Sequence, residues 1–118
     1  MVKNKEWLNE VFEEQIKLQL QIKNKTEIGE LTDIVDMYGA ATGAIIEIGE
    51  MLQADTRWKK YVTGSMKEPT YSTINFLEEF ADVFIYLMNV LIYSGHTIEA
   101  AKEIINCKMK INKERFKK

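Results

Sequence analysis

Two pairs of carboxylates at helical spacing are the side chains best suited to chemistry. Glu47 and Glu50 stand three positions apart in the sequence. Glu79 and Asp82 repeat this spacing further along the chain. Residues three apart lie on one face of an α-helix, so two adjacent helices would bring four carboxylates into one space. These charges would repel one another unless cations entered. An all-oxygen ligand set is the kind that Mg²⁺ prefers, so the pattern predicts a magnesium site.

The composition and periodicity of the chain indicate its fold class. The 118 residues are 46% hydrophobic with a formal net charge of -2, which is typical of one globular domain spanning residues 1–118. Apolar residues recur at intervals of three and four, and the chain holds one proline. The sequence therefore predicts an all-α fold, a bundle of four or five helices.

Several classes of protein are not expected. No apolar run approaches the roughly 18 residues that suggest a membrane span. The N-terminus lacks the apolar core of a signal peptide. Cys107 is the single cysteine, which excludes an internal disulfide and favours the cytoplasm. The sequence pI near 5.5 and the acidic centre argue against nucleic-acid binding. His96 is the only histidine, so we do not expect a zinc site.

Four segments have helical periodicity and end in capping or turn residues. The predicted helices run from about Lys5 to Lys23, Glu27 to Gln53, Thr73 to Tyr93 and Ile98 to Phe116. We expect the second to be interrupted near Gly39, and we interpret Gly43 and Gly49 in it as helix-packing positions. The stretch from Val62 to Tyr71 holds Gly64, Ser65 and Pro69, so it is predicted to be a surface loop.

The apolar stripes of three of these helices predict which side chains face inward. They are Leu8, Val11, Phe12, Leu18 and Ile22 in the first helix, Ile74, Leu77, Phe84, Leu87, Met88 and Leu91 in the third, and Ile98, Ala101, Ile105, Met109 and Phe116 in the fourth. Gln15 falls within the first stripe, and Gln19 lies beside that stripe. A buried amide must be hydrogen-bonded, so Gln15 is either a satisfied core or interface residue or a group that contacts a ligand.

Two cationic stretches also allow two interpretations each. Arg57, Trp58 and Lys59 come just after the first acidic pair. This stretch is either a solvated helix end or a phosphate-binding site with an aromatic wall. In the last helix, cationic and amide side chains share one face by their i, i+4, i+7 spacing; they are Lys108, Asn112 and Arg115. This row either complements the helix dipole or contacts phosphate oxygens.

Five motifs, in the order in which they stand along the chain, resemble those of the all-α nucleoside triphosphate pyrophosphatases, the MazG-like and dimeric-dUTPase-like proteins. The acidic motifs are Glu47-Ile48-Gly49-Glu50 and Glu79-Phe80-Ala81-Asp82. The first helix carries Phe12-x-x-Gln15-x-x-Leu18, similar to the first-helix motif of the dUTPase branch. Arg57-Trp58-Lys59-Lys60-Tyr61 and Lys108-x-x-x-Asn112-x-x-Arg115 resemble two further motifs of that branch. The resemblance covers most of the chain, from Phe12 to Arg115.

This resemblance implies a fold, a reaction and a set of site residues. Glu47, Glu50, Glu79 and Asp82 would hold Mg²⁺, and water would attack the α-phosphorus of dUTP or a related dNTP to release the monophosphate and pyrophosphate. It implies phosphate contacts from Lys59, Lys108 and Arg115, and base or sugar contacts from Gln15, Trp58 and Asn112. It also implies a homodimer or homotetramer.

Two positions depart from the dUTPase pattern and leave the preferred base open. Ile85 stands where that branch often has histidine, and Leu18 where it often has asparagine or aspartate. The alternative hypothesis is a non-catalytic helical module that binds a partner or a nucleotide, with the carboxylates forming a solvated acidic stripe.

Overall fold

The computed structural model describes residues 6–59, 63–64 and 71–117. Over these residues it contains four α-helices and one 3₁₀ turn. They are α1 (Trp7–Lys23), the 3₁₀ turn Ile28–Leu31, α2 (Ile34–Ala54), α3 (Thr73–Tyr93) and α4 (Ile98–Arg115). The only strand-like feature in the described ranges is an isolated antiparallel bridge between Asp55 and Tyr71. The prediction of an all-α fold is therefore confirmed for the described part of the chain.

Helix α1 ends where local sequence predicts it. Asn24 adopts the left-handed conformation with φ 54°, and its backbone N–H donates to the carbonyl of Gln21. The N–H of Lys25 bonds the carbonyl of Leu20 at 2.9 Å. These contacts satisfy carbonyls at the helix end that have no partner within the helix. The predicted start at Lys5 lies outside the described residues, and the helix begins at Trp7.

The predicted second helix is broken, and the predicted position of the break is wrong. The helix begins at Ile34 instead of Glu27 and runs through Gly39 without interruption. The Glu30 side chain caps the preceding 3₁₀ turn by accepting the Glu27 N–H at 3.1 Å. Thr32 is extended, with ψ 116°, and the N–H of Asp33 donates to the carbonyl of Tyr93 at 2.9 Å. This non-local bond gives the amide a partner outside the helix, so the chain turns here.

The connection between α3 and α4 follows its capping residues. Gly95 has φ 81°, a conformation that L side chains rarely adopt. The N–H of His96 bonds the carbonyl of Leu91 at 3.0 Å. Thr97 caps α4, its hydroxyl accepting the Ala100 N–H at 3.1 Å. The predicted limits of α3 are confirmed, and α4 ends one residue before Phe116, which forms its C-cap.

The chain divides into two compact units. The first comprises Met1–Asp33 with Leu91–Lys118, and the second comprises Ile34–Val90. In the first, the buried side chains are Phe12, Gln19, Leu31, Ile92, Tyr93 and Ile98. In the second, they are Ala40, Ala44, Val83 and Met88. The single domain over residues 1–118 and the bundle arrangement stay predictions.

One buried polar pair lies in the core of the first unit. The hydroxyl of Tyr93 donates to Oε1 of Gln19, and both residues are about 6% exposed. Gln19 is therefore the buried amide of α1, whereas Gln15 is half-buried. The hydrogen bond compensates for taking two polar groups out of water.

Removing one partner of this pair should destabilise the protein. Tyr93→Phe deletes the hydroxyl and leaves the buried carbonyl of Gln19 without it, so we expect a loss of ~1–3 kcal/mol in unfolding free energy. Urea denaturation measures this loss. Gln19→Leu combined with Tyr93→Phe is the control, because replacing both partners by apolar groups restores part of the loss. A double variant that loses the sum of both single effects would contradict this role of the pair.

Several predicted core positions are exposed. The incorrectly predicted residues are Leu18 and Ile22 in α1, Ile74, Leu77 and Leu87 in α3, and Ile105, Met109 and Phe116 in α4. All α4 positions from 103 onward are exposed, so no described part of the chain covers the C-terminal half of this helix. Periodicity identifies an apolar face, but only tertiary packing decides whether it is covered.

Among the described residues, no helix is both long and apolar enough to cross a membrane.

Candidate metal-binding site

The packed faces of α2 and α3 carry two of the predicted carboxylates, Glu47 and Glu79. On α2, the buried Ala40 and Ala44 share a stripe with Glu47, at i, i+4, i+7 spacing. On α3, the buried Val83 follows Glu79 by four positions and lies on the same face. Each glutamate thus extends a packed stripe by one turn, and the two helices aim these carboxylates at each other.

Three of the four predicted acidic side chains converge. Glu47, Glu50 and Glu79 each offer a carboxylate oxygen, and these oxygens lie within 4.8 Å of one another. Glu47 and Glu79 are half-buried, whereas Glu50 is exposed. Asp82, one turn further along α3, is exposed and lies outside this group of three. The spacing of both motifs therefore brings together three carboxylates, with the fourth nearby on the helix that carries Glu79.

The converging carboxylates are not neutralised by the described protein. Oε2 of Glu47 and Oε2 of Glu79 are shielded from solvent and have no hydrogen-bond partner among the described residues. A hydrogen bond with Glu79, burial and the charge of Glu50 together raise the pKa of Glu47 from 4.5 to about 7. Two ionised carboxylates cannot donate to each other, so the Glu47–Glu79 contact requires either a proton or a cation.

The donor set fits a hard divalent cation. All three groups are carboxylates, and oxygen ligands suit Mg²⁺, Mn²⁺ and Ca²⁺. A cation held by this cluster would compensate for the shielded oxygens of Glu47 and Glu79, which have no partner among the described residues. No described histidine or cysteine joins the cluster, so the site does not fit a structural zinc ion.

The raised pKa of Glu47 predicts a pH dependence of stability in metal-free, chelated buffer. Between pH 4.5 and about 7 the folded state retains a proton on Glu47 that the unfolded state has released. The contribution of Glu47 to the unfolding free energy therefore falls as pH rises through this window and is constant above it. Melting temperatures of the wild type and Glu47→Gln, compared from pH 5 to 8, measure this effect. We expect the variant to gain relative to the wild type as pH rises. A difference that is independent of pH would contradict the assignment.

The end of α2 holds an ion pair that sequence analysis missed. The guanidinium of Arg57 donates to both carboxylate oxygens of Asp55, at 2.8 and 2.6 Å. The same guanidinium lies 3.9 Å from the ring centroid of Tyr71. The bond to Arg57 lowers the pKa of Asp55 below its usual value. The Asp-x-Arg spacing was the available signal, but the stacking on Tyr71 depends on the Asp55–Tyr71 bridge, which joins distant positions.

Trp58 and Lys59 belong to the same compact unit as the carboxylates. The indole N–H of Trp58 donates to the carbonyl of Leu52 at 2.8 Å, which fixes the half-buried ring against the end of α2. The ammonium of Lys59 lies 5.7 Å from the centre of this ring. Lys60 and Tyr61, the end of the quoted motif, lie outside the described residues.

The remaining predicted substrate ligands belong to the other compact unit. They are Gln15, Lys108, Asn112 and Arg115. Gln15 is half-buried on α1, and the three residues of α4 are exposed. Their roles as substrate ligands stay predictions.

Comparison with known proteins provides no independent assignment. No family model, curated protein or solved structure matches this chain. The membership in the nucleoside triphosphate pyrophosphatases therefore stays a prediction from the quoted motifs.

Proposed function

We propose that this protein is a Mg²⁺-dependent nucleoside triphosphate pyrophosphohydrolase of the MazG-like and dimeric-dUTPase-like class. The observation that carries this proposal is the convergence of Glu47, Glu50 and Glu79, two of which carry a shielded carboxylate oxygen without a partner among the described residues. Such a cluster is costly without a cation, and the motifs that supply it resemble the acidic motifs of that class.

The proposed role of each carboxylate follows from its exposure to solvent. Glu47 and Glu79 each contribute an oxygen to the cluster, and each carries a shielded oxygen without a partner, so both are suited to hold the cation. Glu50 is exposed, so its carboxylate can also reach solvent and orient the attacking water. Glu47 remains the second candidate for accepting the proton of that water, and Asp82 is the candidate fourth ligand. When bound, Mg²⁺ supplies charge neutralisation along the phosphate chain and lowers the pKa of water.

The proposed substrate is dUTP or a related dNTP, cleaved to the monophosphate and pyrophosphate. Lys59, Lys108 and Arg115 are the proposed phosphate contacts, because cations bind phosphate oxygens through charge-assisted hydrogen bonds. Gln15, Trp58 and Asn112 are the proposed contacts to base or sugar. A cytoplasmic location, inferred from the single Cys107, belongs to the same proposal.

We also propose that the protein is a homodimer or homotetramer. Apolar side chains of α2 are strongly exposed; they include Ile34, Val35, Tyr38 and Ile45. Exposed apolar patches commonly mark protein–protein contacts, and symmetric self-association is the commonest way to cover them. Light scattering coupled to size exclusion measures the mass, and a monomer at micromolar concentration would contradict this proposal.

A product assay tests the proposed reaction. Purified protein with Mg²⁺ is incubated with dUTP, the canonical dNTPs and the NTPs, and the nucleotide products and pyrophosphate are resolved. We expect monophosphate and pyrophosphate in equal amounts from at least one dNTP, and no product when Mg²⁺ is chelated. Release of orthophosphate in place of pyrophosphate would contradict attack at the α-phosphorus.

The exposed apolar faces favour a second candidate, a non-catalytic helical interaction module. Thermal melting separates the two candidates. A ligand that binds the native state stabilises it by mass action and so raises the melting temperature. At a ligand concentration of a hundred times Kd, the gain in unfolding free energy is about 2.7 kcal/mol. The enzyme should respond to Mg²⁺ with a nucleotide. Absence of a shift with any nucleotide would favour the interaction module, and a shift without product would indicate nucleotide binding alone.

A further inference from the structure

Gly43 on α2 lies against the ring of Tyr86 on α3. A Cβ placed on Gly43 would come within 2.5 Å of Cε1 and 2.7 Å of Cδ1 of that ring. Carbon atoms in ordinary van der Waals contact are about 3.5–4.0 Å apart, so a methyl group does not fit here. The two helices therefore approach at Gly43 to a distance that only glycine permits while the ring stays in place.

This contact lies next to the carboxylate cluster on both helices. Gly43 precedes Glu47 by four positions, and Tyr86 follows Glu79 by seven, so each pair shares one helix face. Gly43 meets Tyr86 while Glu47 meets Glu79, which makes the helices antiparallel here. Moving from the glycine toward the C-terminus of α2 reaches the cluster in one turn.

The other glycines of α2 have no such contact. A Cβ on Gly39 or on Gly49 would meet no described heavy atom within 4 Å. The interpretation of a glycine as a packing position is therefore confirmed for Gly43, whereas no described residue packs against Gly49. The absence of a side chain is required at one position, the one that precedes Glu47 by a single helical turn.

We infer that the contact between Gly43 and the Tyr86 ring sets the separation of α2 and α3 at which Glu47, Glu50 and Glu79 converge. Gly43 and Tyr86 are positioning residues for the cation site, and neither is a ligand. This inference rests on the proposed function for its consequence, cation binding. The spacing itself is a property of the protein without metal. A separation of the helices by even 1 Å would spread the three oxygens, which now lie within 4.8 Å of one another.

The first test measures Mn²⁺ and Mg²⁺ affinity by isothermal titration calorimetry. We expect Gly43→Ala to weaken cation binding by roughly 10–100-fold, the usual cost of disturbing residues that support metal ligands. Gly39→Ala is the matched control. It makes the same change one turn earlier on the same helix, where space is open, and should leave the affinity unchanged. Equal affinities in the two variants would overturn the inference.

A rescue variant distinguishes positioning from general damage. Tyr86→Leu removes the Cε1 and Cζ atoms that a methyl on Gly43 would meet. The double variant Gly43→Ala/Tyr86→Leu should therefore bind the cation more tightly than Gly43→Ala. Tyr86→Leu alone provides a second test of the inference if Gly43→Ala does not fold. It should weaken cation binding, because the ring that separates the two helices is lost. Unchanged binding in Tyr86→Leu would overturn the inference.

A spacing measurement without metal separates this inference from the proposed function. In a Cys107→Ser chain carrying Glu47→Cys and Glu79→Cys, dibromobimane, a short thiol cross-linker, reports the approach of the two positions. Adding Gly43→Ala should slow cross-linking, whereas adding Gly39→Ala should not. An equal rate would overturn the spacer role even if the wild type binds Mg²⁺. Slowed cross-linking in a chain whose wild type binds no cation would support the spacer and reject the metal site.

Discussion

Glu47→Gln will abolish nucleotide turnover while the helical fold persists. The substitution preserves the size of the side chain and removes the negative charge of Glu47, one of the three converging carboxylates. We expect turnover to fall at least ~100-fold, because losing a direct ligand exceeds the 10–100-fold cost of losing its supporting residues. Far-ultraviolet circular dichroism should be unchanged. Monophosphate release measured at saturating Mg²⁺ and substrate gives the loss.

The same variant should melt higher than the wild type in chelated buffer at pH 8. The amide can donate to the carboxylate of Glu79, which replaces a repulsion by a hydrogen bond. Loss of activity combined with gain of stability is the result that an unfolded or damaged variant cannot produce. Full turnover in Glu47→Gln would remove Glu47 from the site.

Two further substitutions define the limits of this cluster. Glu103→Gln neutralises an exposed carboxylate of the other compact unit and should leave turnover unchanged. Asp82→Asn should also abolish turnover, as the resemblance implies for the second acidic motif. Wild-type activity in Asp82→Asn would restrict the site to the three carboxylates that converge in the structure.

Leu31→Ala should produce the largest loss of stability. Leu31 is the most buried large side chain among the described residues, at 2% exposure, and lies on the 3₁₀ turn that contacts α1. Truncating a buried leucine removes apolar burial and leaves a cavity, which costs about 2–5 kcal/mol. Urea denaturation followed by circular dichroism measures the loss.

Ile28→Ala on the same 3₁₀ turn is the matched control for Leu31→Ala. Ile28 is 58% exposed, so its truncation removes little buried surface. We expect a cost of about 0.5 kcal/mol, as for other surface substitutions. Equal losses in the two variants would show that Leu31 does not occupy the core of the first unit.

Helix limits could be predicted from the sequence because capping is local chemistry. The end of α1 at Lys23, the limits of α3 and the start of α4 at Ile98 were predicted correctly. Each depends on residues within one turn, such as Gly95 and Thr97. The break before Ile34 was misplaced because it depends on the bond from Asp33 to the distant Tyr93.

Burial was predicted less well, because it depends on what lies opposite. Periodicity identified Ile74, Leu77 and Leu87 as apolar positions of one helix, yet the described chain leaves them exposed. The amide that is buried is Gln19, whose partner, Tyr93, stands far away in the sequence. An apolar stripe indicates that a helix face can be buried, whereas tertiary or subunit packing decides what covers that face.

The sequence by itself determined which groups could bind a cation. Carboxylates at i, i+3 spacing share a helix face whatever the fold, because helix geometry is local. Tertiary structure alone decided that Glu47, Glu50 and Glu79 converge, while Asp82 lies outside the group. The separation and rotation of two helices are fixed by side-chain packing between them, here by the ring of Tyr86 against Gly43. No spacing within one helix contains that information.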